Sequence, residues 1–173
     1  MPCARDVREL AEEQLALLRG RIGDTRAARL HAQVAFASGV VVEADRVLLG
    51  QALANVLQNA VEAYPVDGDR TMDLRITAEL PKGALMATIA IEDDGCGIDA
   101  AWKQNVGDPF LSTKGQGRGL GMLNVKKVVE AVHGGVVDID SEVGRGTRVE
   151  LILPRKQSTR ARAVRKRKRA VPR

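Results

Sequence analysis

Aromatic side chains are nearly absent from this chain: they make up 2% of its 173 residues, as Phe36, Tyr64, Trp102 and Phe110. A core therefore has to be assembled from Val, Leu, Ile and Ala. Cysteine is as scarce. Cys3 and Cys96 are the two present, which excludes a disulfide framework or a cysteine metal cluster and fits a reducing, cytoplasmic compartment. No apolar run approaches the ~18 residues that span a bilayer, and the N-terminus lacks the apolar stretch of a signal peptide. A soluble domain is expected. Acidic residues are missing from positions 154–173, which hold ten Lys and Arg. The net charge of +5 comes from that end alone: of the 27 basic residues, 17 remain elsewhere, against 22 acidic ones. The folded part is thus acidic and is not read as a nucleic-acid binder from its pI. The basic run 160–169 is expected to be a disordered, solvated tail, with contact to nucleic acid or anionic lipid as the weaker alternative.

The polar pattern of the chain is organised around residues 51–64. On a helix, Gln51, Asn55, Gln58, Asn59 and Glu62 fall within an arc of about 100°, and nearly everything else there is apolar. A solvated face usually carries Lys and Glu, whereas Asn is a poor helix former that needs a partner. The carboxamide stripe therefore reads as the wall of a polar site, the other reading being an exposed face of unusual composition.

Around this helix the pattern predicts an ordered series of elements. Asp6 caps a first helix over about 5–19, with Glu9 three residues on. Residues 30–37 and 40–44 are β-like runs around Ser38-Gly39 and predict a hairpin or two small strands. Asp45 caps the polar helix and Pro65 ends it. Residues 72–78 and 85–91 form a hairpin of half-buried strands, a short helix covers 100–104, and 105–119 is a long glycine-rich loop of the kind that serves as a lid. Helical spacing returns over 120–133, and strands over 136–139 and 147–153 complete the fold. The expected organisation is an N-terminal helix in 1–20 leading into the domain, a body in 21–154 and a tail in 155–173.

Three glycine-bearing motifs follow the polar helix. Asp93-x-Gly95-x-Gly97 ends a strand; its glycines let backbone approach a flat ligand while Asp93 offers an acceptor suited to an exocyclic amine. Alone, the string is also an ordinary acidic turn. Gly115-Gln-Gly117-Arg-Gly119-Leu120-Gly121 runs into a helix, whose N-terminal N–H groups and dipole suit phosphate, with Lys114 and Arg118 adding charge. It fits neither the P-loop nor the dinucleotide fingerprint. Gly144-Arg-Gly146-Thr147 is a turn by itself. Thr147 gains a role only if its strand lies beside Asp93.

Asn55-x-x-x-Asn59-Ala, Asp93-x-Gly95-x-Gly97, Asp108-Pro-Phe110-Leu-Ser-Thr-Lys114, Gly117-x-Gly119-Leu120-Gly121 and Gly144-x-Gly146-Thr147 resemble, in order, the five nucleotide-binding boxes of sensor histidine kinases. These belong to the ATPase superfamily that includes gyrase B subunits, MutL and the heat-shock chaperones. The resemblance covers about residues 5–154, and the Phe110 box looks most like the nitrogen-regulation branch. It implies an α+β Bergerat fold, a two-layer sandwich of a mixed sheet with helices on one face. It further implies that Asn59 ligates Mg²⁺, that Asn55 serves the phosphate and metal end, and that Asp93 accepts from the adenine amine of ATP. Gly95, Gly97 and Ile98 would shape the base pocket. Lys114, Gly117, Gly119, Leu120 and Gly121 would form the lid, and Thr147 would stand near the base.

ATP-hydrolysing members carry a Glu where this chain has Asn55, and a carboxamide is no general base. The resemblance therefore implies phosphoryl transfer to a histidine on a dimerisation domain, and onward to a response regulator. His31 and His133 are read as structural, His133 at a helix end where a cation would suit the dipole. The competing expectation is an ATP-gated binding or regulatory module of the anti-sigma type.

Overall fold

The computed structural model describes residues 3–37, 39–103 and 120–155. Asp6 does cap the first helix, α1 (Val7–Ile22), its carboxylate accepting from the Arg8 N–H at 2.8 Å. The apolar stripe Val7, Leu10, Ala11, Leu15 and Leu18 turns inward, as spacing of three and four residues dictates. Two elements escape the sequence pattern. Cys3–Asp6 is a short strand, β1, and Asp24–Arg29 is a one-and-a-half-turn helix, α2. Neither is long enough to show a period.

Strands β2 (Leu30–Phe36) and β3 (Val41–Ala44) form where the β-like runs lie, but they do not form a hairpin. β3 pairs antiparallel with β1 in a two-stranded sheet, and β2 pairs in parallel with β4 (Met72–Glu79) in the main one. A hairpin across Ser38-Gly39 would have left the edge of β4 open; the parallel pairing closes it with residues from before the polar helix.

That helix, α3 (Arg46–Glu62), is capped as expected, with Asp45 accepting from the Leu48 N–H at 3.4 Å. β4 and β5 (Met86–Asp93) form the expected antiparallel hairpin. Beyond a short helix α4 (Ala100–Lys103), residues 104–119 lie outside the described residues. Helix α5 (Leu120–Lys126) then widens into a π-helical segment (Lys127–Val132), and β6 (Val136–Glu142) and β7 (Gly146–Pro154) finish the fold.

The main sheet has the order β2-β4-β5-β7-β6, with β2 and β4 parallel and the other neighbours antiparallel. Helices α1, α3 and α5 and the π-helical segment cover one face, so the protein is the two-layer, mixed-sheet sandwich that the resemblance implies. Period two sorts the side chains: in β4, Met72, Leu74, Ile76 and Ala78 are buried while Asp73, Arg75 and Glu79 are exposed. Cross-strand pairing then builds rows. Ile76, Ile91, Val149 and Ile139 form one such row on the helix-covered face, and Ala78, Ile89, Leu151 and Val137 form the next. This aliphatic stack takes the place that aromatic residues fill in other cores.

Candidate functional site

One step towards the end of β5, the covered face changes character. The row after Ile76–Ile91–Val149–Ile139 is Leu74, Asp93, Thr147, Ser141, read across β4, β5, β7 and β6. Residues directly opposite one another in antiparallel strands share a face. Three polar side chains therefore stand side by side where every row below is apolar. The strand carrying Thr147 does lie beside Asp93: the two residues are Cα partners across the ladder.

The row is tied together by hydrogen bonds. Asp93 Oδ1 accepts from the Gly95 N–H at 3.0 Å, closing a tight turn after the strand. Ser141 Oγ accepts from the Ile98 N–H at 2.8 Å, donates to the Gly146 carbonyl at 2.9 Å and lies 2.9 Å from Thr147 Oγ1. The sequence pattern places Ser141 only in a connection between strands. Nothing in its immediate neighbours marks it; the pairing of β6 with β7 does.

Glycines permit the approach of these segments. A Cβ on Gly95 would stand 2.4 Å from Ala63 Cβ, and the next residue, Cys96, donates its N–H to the Ala63 carbonyl at 3.1 Å. The loop after β5 is thus sealed against the C-terminal end of α3. Gly146 has φ +107, and a Cβ there would lie 1.9 Å from the Asp93 carbonyl oxygen, so any other residue would force β7 away from β5. Gly97 meets the Glu142 carbonyl in the same way, at 2.1 Å.

Helix α3 lies over this floor with Asn55, Gln58, Asn59 and Glu62 half-buried and Gln51 exposed. Gln58 Nε2 donates to Glu62 Oε1 at 2.8 Å, which gives Glu62 a partner within the stripe. Gly121, the second residue of α5, packs over Asn59: a Cβ on it would stand 3.9 Å from Asn59 Oδ1 and 4.0 Å from Nδ2. Leu120, at the start of α5, is half exposed. The polar helix, the loop after β5, the start of α5 and the β6–β7 turn therefore converge. Lys114, Gly117 and Gly119, together with Phe110, lie outside the described residues.

Side chains from elsewhere hold both ends of α3. At the N-terminus, buried His133 accepts the Asp45 N–H on Nε2 at 3.1 Å and donates from Nδ1 to the Val128 carbonyl at 2.7 Å. In these two bonds Nδ1 carries a proton and Nε2 accepts, which ties the end of the π-helical segment to the start of α3. At the C-terminus, Arg26 Nη2 on α2 donates to the Val61 and Tyr64 carbonyls at 2.9 and 3.4 Å, which satisfies carbonyls a helix end leaves open. His31 is a surface residue whose Nδ1 lies 2.8 Å from Asp73 Oδ1.

Beside the site, Tyr64 donates its hydroxyl to Asp94, which also pairs with Arg70. Burial and the neighbouring Asp94 carboxylate push the Tyr64 phenol far up, so it remains a donor. Partial burial opposes ionisation of Asp94, but the Tyr64 hydrogen bond and the Arg70 charge outweigh it and hold the carboxyl below the usual range. An open cavity of about 350 Å³ lies largely on the uncovered side of the sheet, with Gln33, Arg75, Glu92 and Arg145 in its lining. Leu74 and Asp93 of the polar row also line it, so the cavity reaches the end of the row at β4 and β5. Among the described residues, no cluster of three or more His, Cys, Asp or Glu could hold a metal ion, and no helix is long and apolar enough to cross a membrane.

The chain is similar to known proteins. The chain is 40% identical over 113 residues to the signal transduction histidine-protein kinase AtoS of Escherichia coli, covering 65% of this chain and 18% of AtoS. It is 31% identical over 157 residues to the nitrogen regulation protein NtrY of Azorhizobium caulinodans, covering 87% of this chain and 19% of NtrY. The chain thus spans about a fifth of the length of these relatives. The catalytic domain of the histidine kinase ThkA superposes with a TM-score of 0.76 at 26% identity, over 90% of this chain and 97% of that domain. Residues 44–157, from the end of β3 through β7, match the family described as histidine kinase-, DNA gyrase B- and HSP90-like ATPase. That span contains the polar helix and all three glycine motifs, and the chain belongs to this ATPase family.

Proposed function

We propose that residues 21–154 form the ATP-binding catalytic unit of a sensor histidine kinase, working in the cytoplasm. The observation that carries this reading is the polar row Asp93–Thr147–Ser141 under α3, with Gly121 against Asn59. The row offers acceptors to a purine amine, and Gly95, Gly97 and Ile98 wall the slot beside it. One turn of helix separates Asn55 from Asn59, so both carboxamides share a face, which supports assigning both to the phosphate end. Asn59 fits Mg²⁺ as one oxygen donor among phosphate oxygens and waters, since this ion keeps much of its shell. When bound, Mg²⁺ neutralises charge on the phosphates. Lys114, Gly117, Gly119, Leu120 and Gly121 are proposed as the lid, where Lys114 adds positive charge.

Asn55 favours transfer over hydrolysis, because no carboxylate occupies its position to activate water. In the proposed reaction, a histidine nitrogen on a separate dimerisation domain attacks the γ-phosphorus. The bond to the β–γ bridging oxygen breaks and ADP leaves. The domain's part is alignment and charge stabilisation. AtoS is a signal transduction histidine-protein kinase by name, which supports this reading over an anti-sigma-type module. ThkA has been solved in complex with the response regulator TrrA, and a response regulator is proposed as the onward partner here. The basic residues after Arg155 are assigned no contact.

Titration with a fluorescent ATP analogue in Mg²⁺ tests the site. Asn59→Ala and Asp93→Asn should each weaken binding roughly 10- to 100-fold, the worth of a hydrogen bond to a charged group. Undiminished affinity in both removes the assignment. Labelled ATP mixed with a dimerisation domain should leave acid-labile, base-stable label on that domain's histidine; nucleotide-dependent complex formation without label would favour the regulatory module.

A further inference from the structure

The hydroxyl of Ser141 meets three groups at once, and counting protons decides which way each bond runs. It lies 2.8 Å from the Ile98 N–H, 2.9 Å from the Gly146 carbonyl oxygen and 2.9 Å from Thr147 Oγ1. A serine hydroxyl has one proton and two lone pairs. The Gly146 carbonyl can only accept, so the Ser141 proton goes there. The Ile98 N–H can only donate, so it takes one lone pair. The second lone pair is left for Thr147, which must donate. Thr147 Oγ1, its one proton committed to Ser141, presents only lone pairs to anything else it meets.

Thr147 is the Cα partner of Asp93 across the ladder. The Asp93 side chain already acts as an acceptor, taking the Gly95 N–H at 3.0 Å. Two neighbouring groups of the same polarity thus form the floor of the slot. Without Ser141 the Thr147 hydroxyl would be a free rotor, able to donate or accept as the ligand required.

We propose that Ser141 is a positioning residue for base selection. By holding Thr147 as an acceptor, it makes the floor complementary to the exocyclic amine of a 6-aminopurine nucleotide and hostile to the carbonyl of a 6-oxopurine. A 6-oxo group would bring an oxygen against acceptors and leave those groups unpaired, which is a strong form of discrimination. The inference rests on the proposal that the base lies at Asp93, and it assigns the choice of base to a residue that need not touch it.

Competition of ATP and inosine triphosphate against a fluorescent ATP analogue tests this on the full chain. The two nucleotides differ along one purine edge: ATP presents an amine at C6 and an acceptor at N1, the inosine nucleotide a carbonyl at C6 and an N–H at N1. The unaltered chain should prefer ATP. Ser141→Ala should weaken ATP binding modestly and lower the ratio of the inosine nucleotide Kd to the ATP Kd about tenfold, since Thr147 can then turn its proton to the carbonyl. Ser141→Thr, which keeps a hydroxyl, should hold the ratio. If Ser141→Ala does not fold, Thr147→Val removes the fixed acceptor directly and should lower the same ratio. A ratio that stays unchanged in the folded variant, with both nucleotides weakened equally, makes Ser141 merely structural and overturns the inference. Asp93→Asn separates the two claims: undiminished ATP affinity there sinks the placement of the base at Asp93, whereas weakened affinity beside an unchanged Ser141→Ala ratio sinks only the role of Ser141.

Discussion

Two neighbouring rows on the covered face of one sheet have opposite tasks. Ile76, Ile91, Val149 and Ile139 make up one, and Leu74, Asp93, Thr147 and Ser141 the other. They share strands, register and a roof, and they are two residues apart along each strand, or about 7 Å. The lower row gains its stability from apolar contact that is nearly independent of direction. The upper row depends on direction: each donor and acceptor is assigned, and glycines at 95, 97 and 146 let backbone close in where side chains would stand off. Core and site are thus separated by composition, within one continuous piece of structure.

The sharpest way to break that comparison is to exchange the effects of the rows. Ile91 is 1% exposed. Ile91→Ala should cost about 2–5 kcal/mol in denaturant unfolding by leaving a cavity. Nucleotide affinity, measured well below the unfolding transition, should be unchanged. Asp93→Asn should do the reverse, sparing stability because the new carboxamide oxygen can still accept from Gly95. If Ile91→Ala weakened nucleotide binding in the folded protein, the rows would not be separable.

A smaller effect is expected from the roof. Asp45→Ala removes the side-chain cap of α3 but keeps the backbone N–H that His133 accepts. It should cost about 0.5–2 kcal/mol, the usual worth of an N-cap, in thermal or denaturant unfolding. Binding at the Asp93 end should change little. A large loss of affinity there would mean that the cap sets the position of the whole helix.

The smallest effect belongs to Asp94, beside the polar row just past the end of β5. Its carboxyl ionises more readily in the folded protein than in the unfolded chain. Its stabilisation is therefore complete above the unfolded pKa of about 4 and is lost as pH falls through the lower folded value. Tyr64→Phe removes one of the hydrogen bonds responsible and should flatten the acid limb of a stability–pH curve below about pH 4. Solvent around the partly exposed carboxylate keeps the change modest. An acid limb identical to that of the unaltered chain would show that Arg70 alone holds Asp94 ionised.

Much of this fold and site is legible in the amino-acid sequence. Asp6 and Asp45 announce their helices by cap chemistry, and the alternation in β4 announces which side chains turn inward. Asn55, Asn59, Asp93, Gly121 and Thr147 can be named because each belongs to a short motif whose parts are neighbours in sequence. Other contributors carry no such mark. Arg26 reaches the end of α3 across 35 positions, and His133 reaches its start across 88. β2 has the pattern of half a hairpin with β3 and instead pairs with β4.

Local sequence thus determined where helices and strands begin, which of their faces are apolar, and that the chain carries the five boxes of an ATPase. Those properties depend on residues within a few positions of one another. Tertiary structure alone decided that Asp93, Thr147 and Ser141 form one row, that Ser141 has a single proton to divide among three neighbours, and that α3 is held at both ends by distant side chains. Hydrogen bonding between strands has no sequence code of its own: pairing is settled by the best joint burial of all the rows, so it emerges only when the whole sheet is assembled.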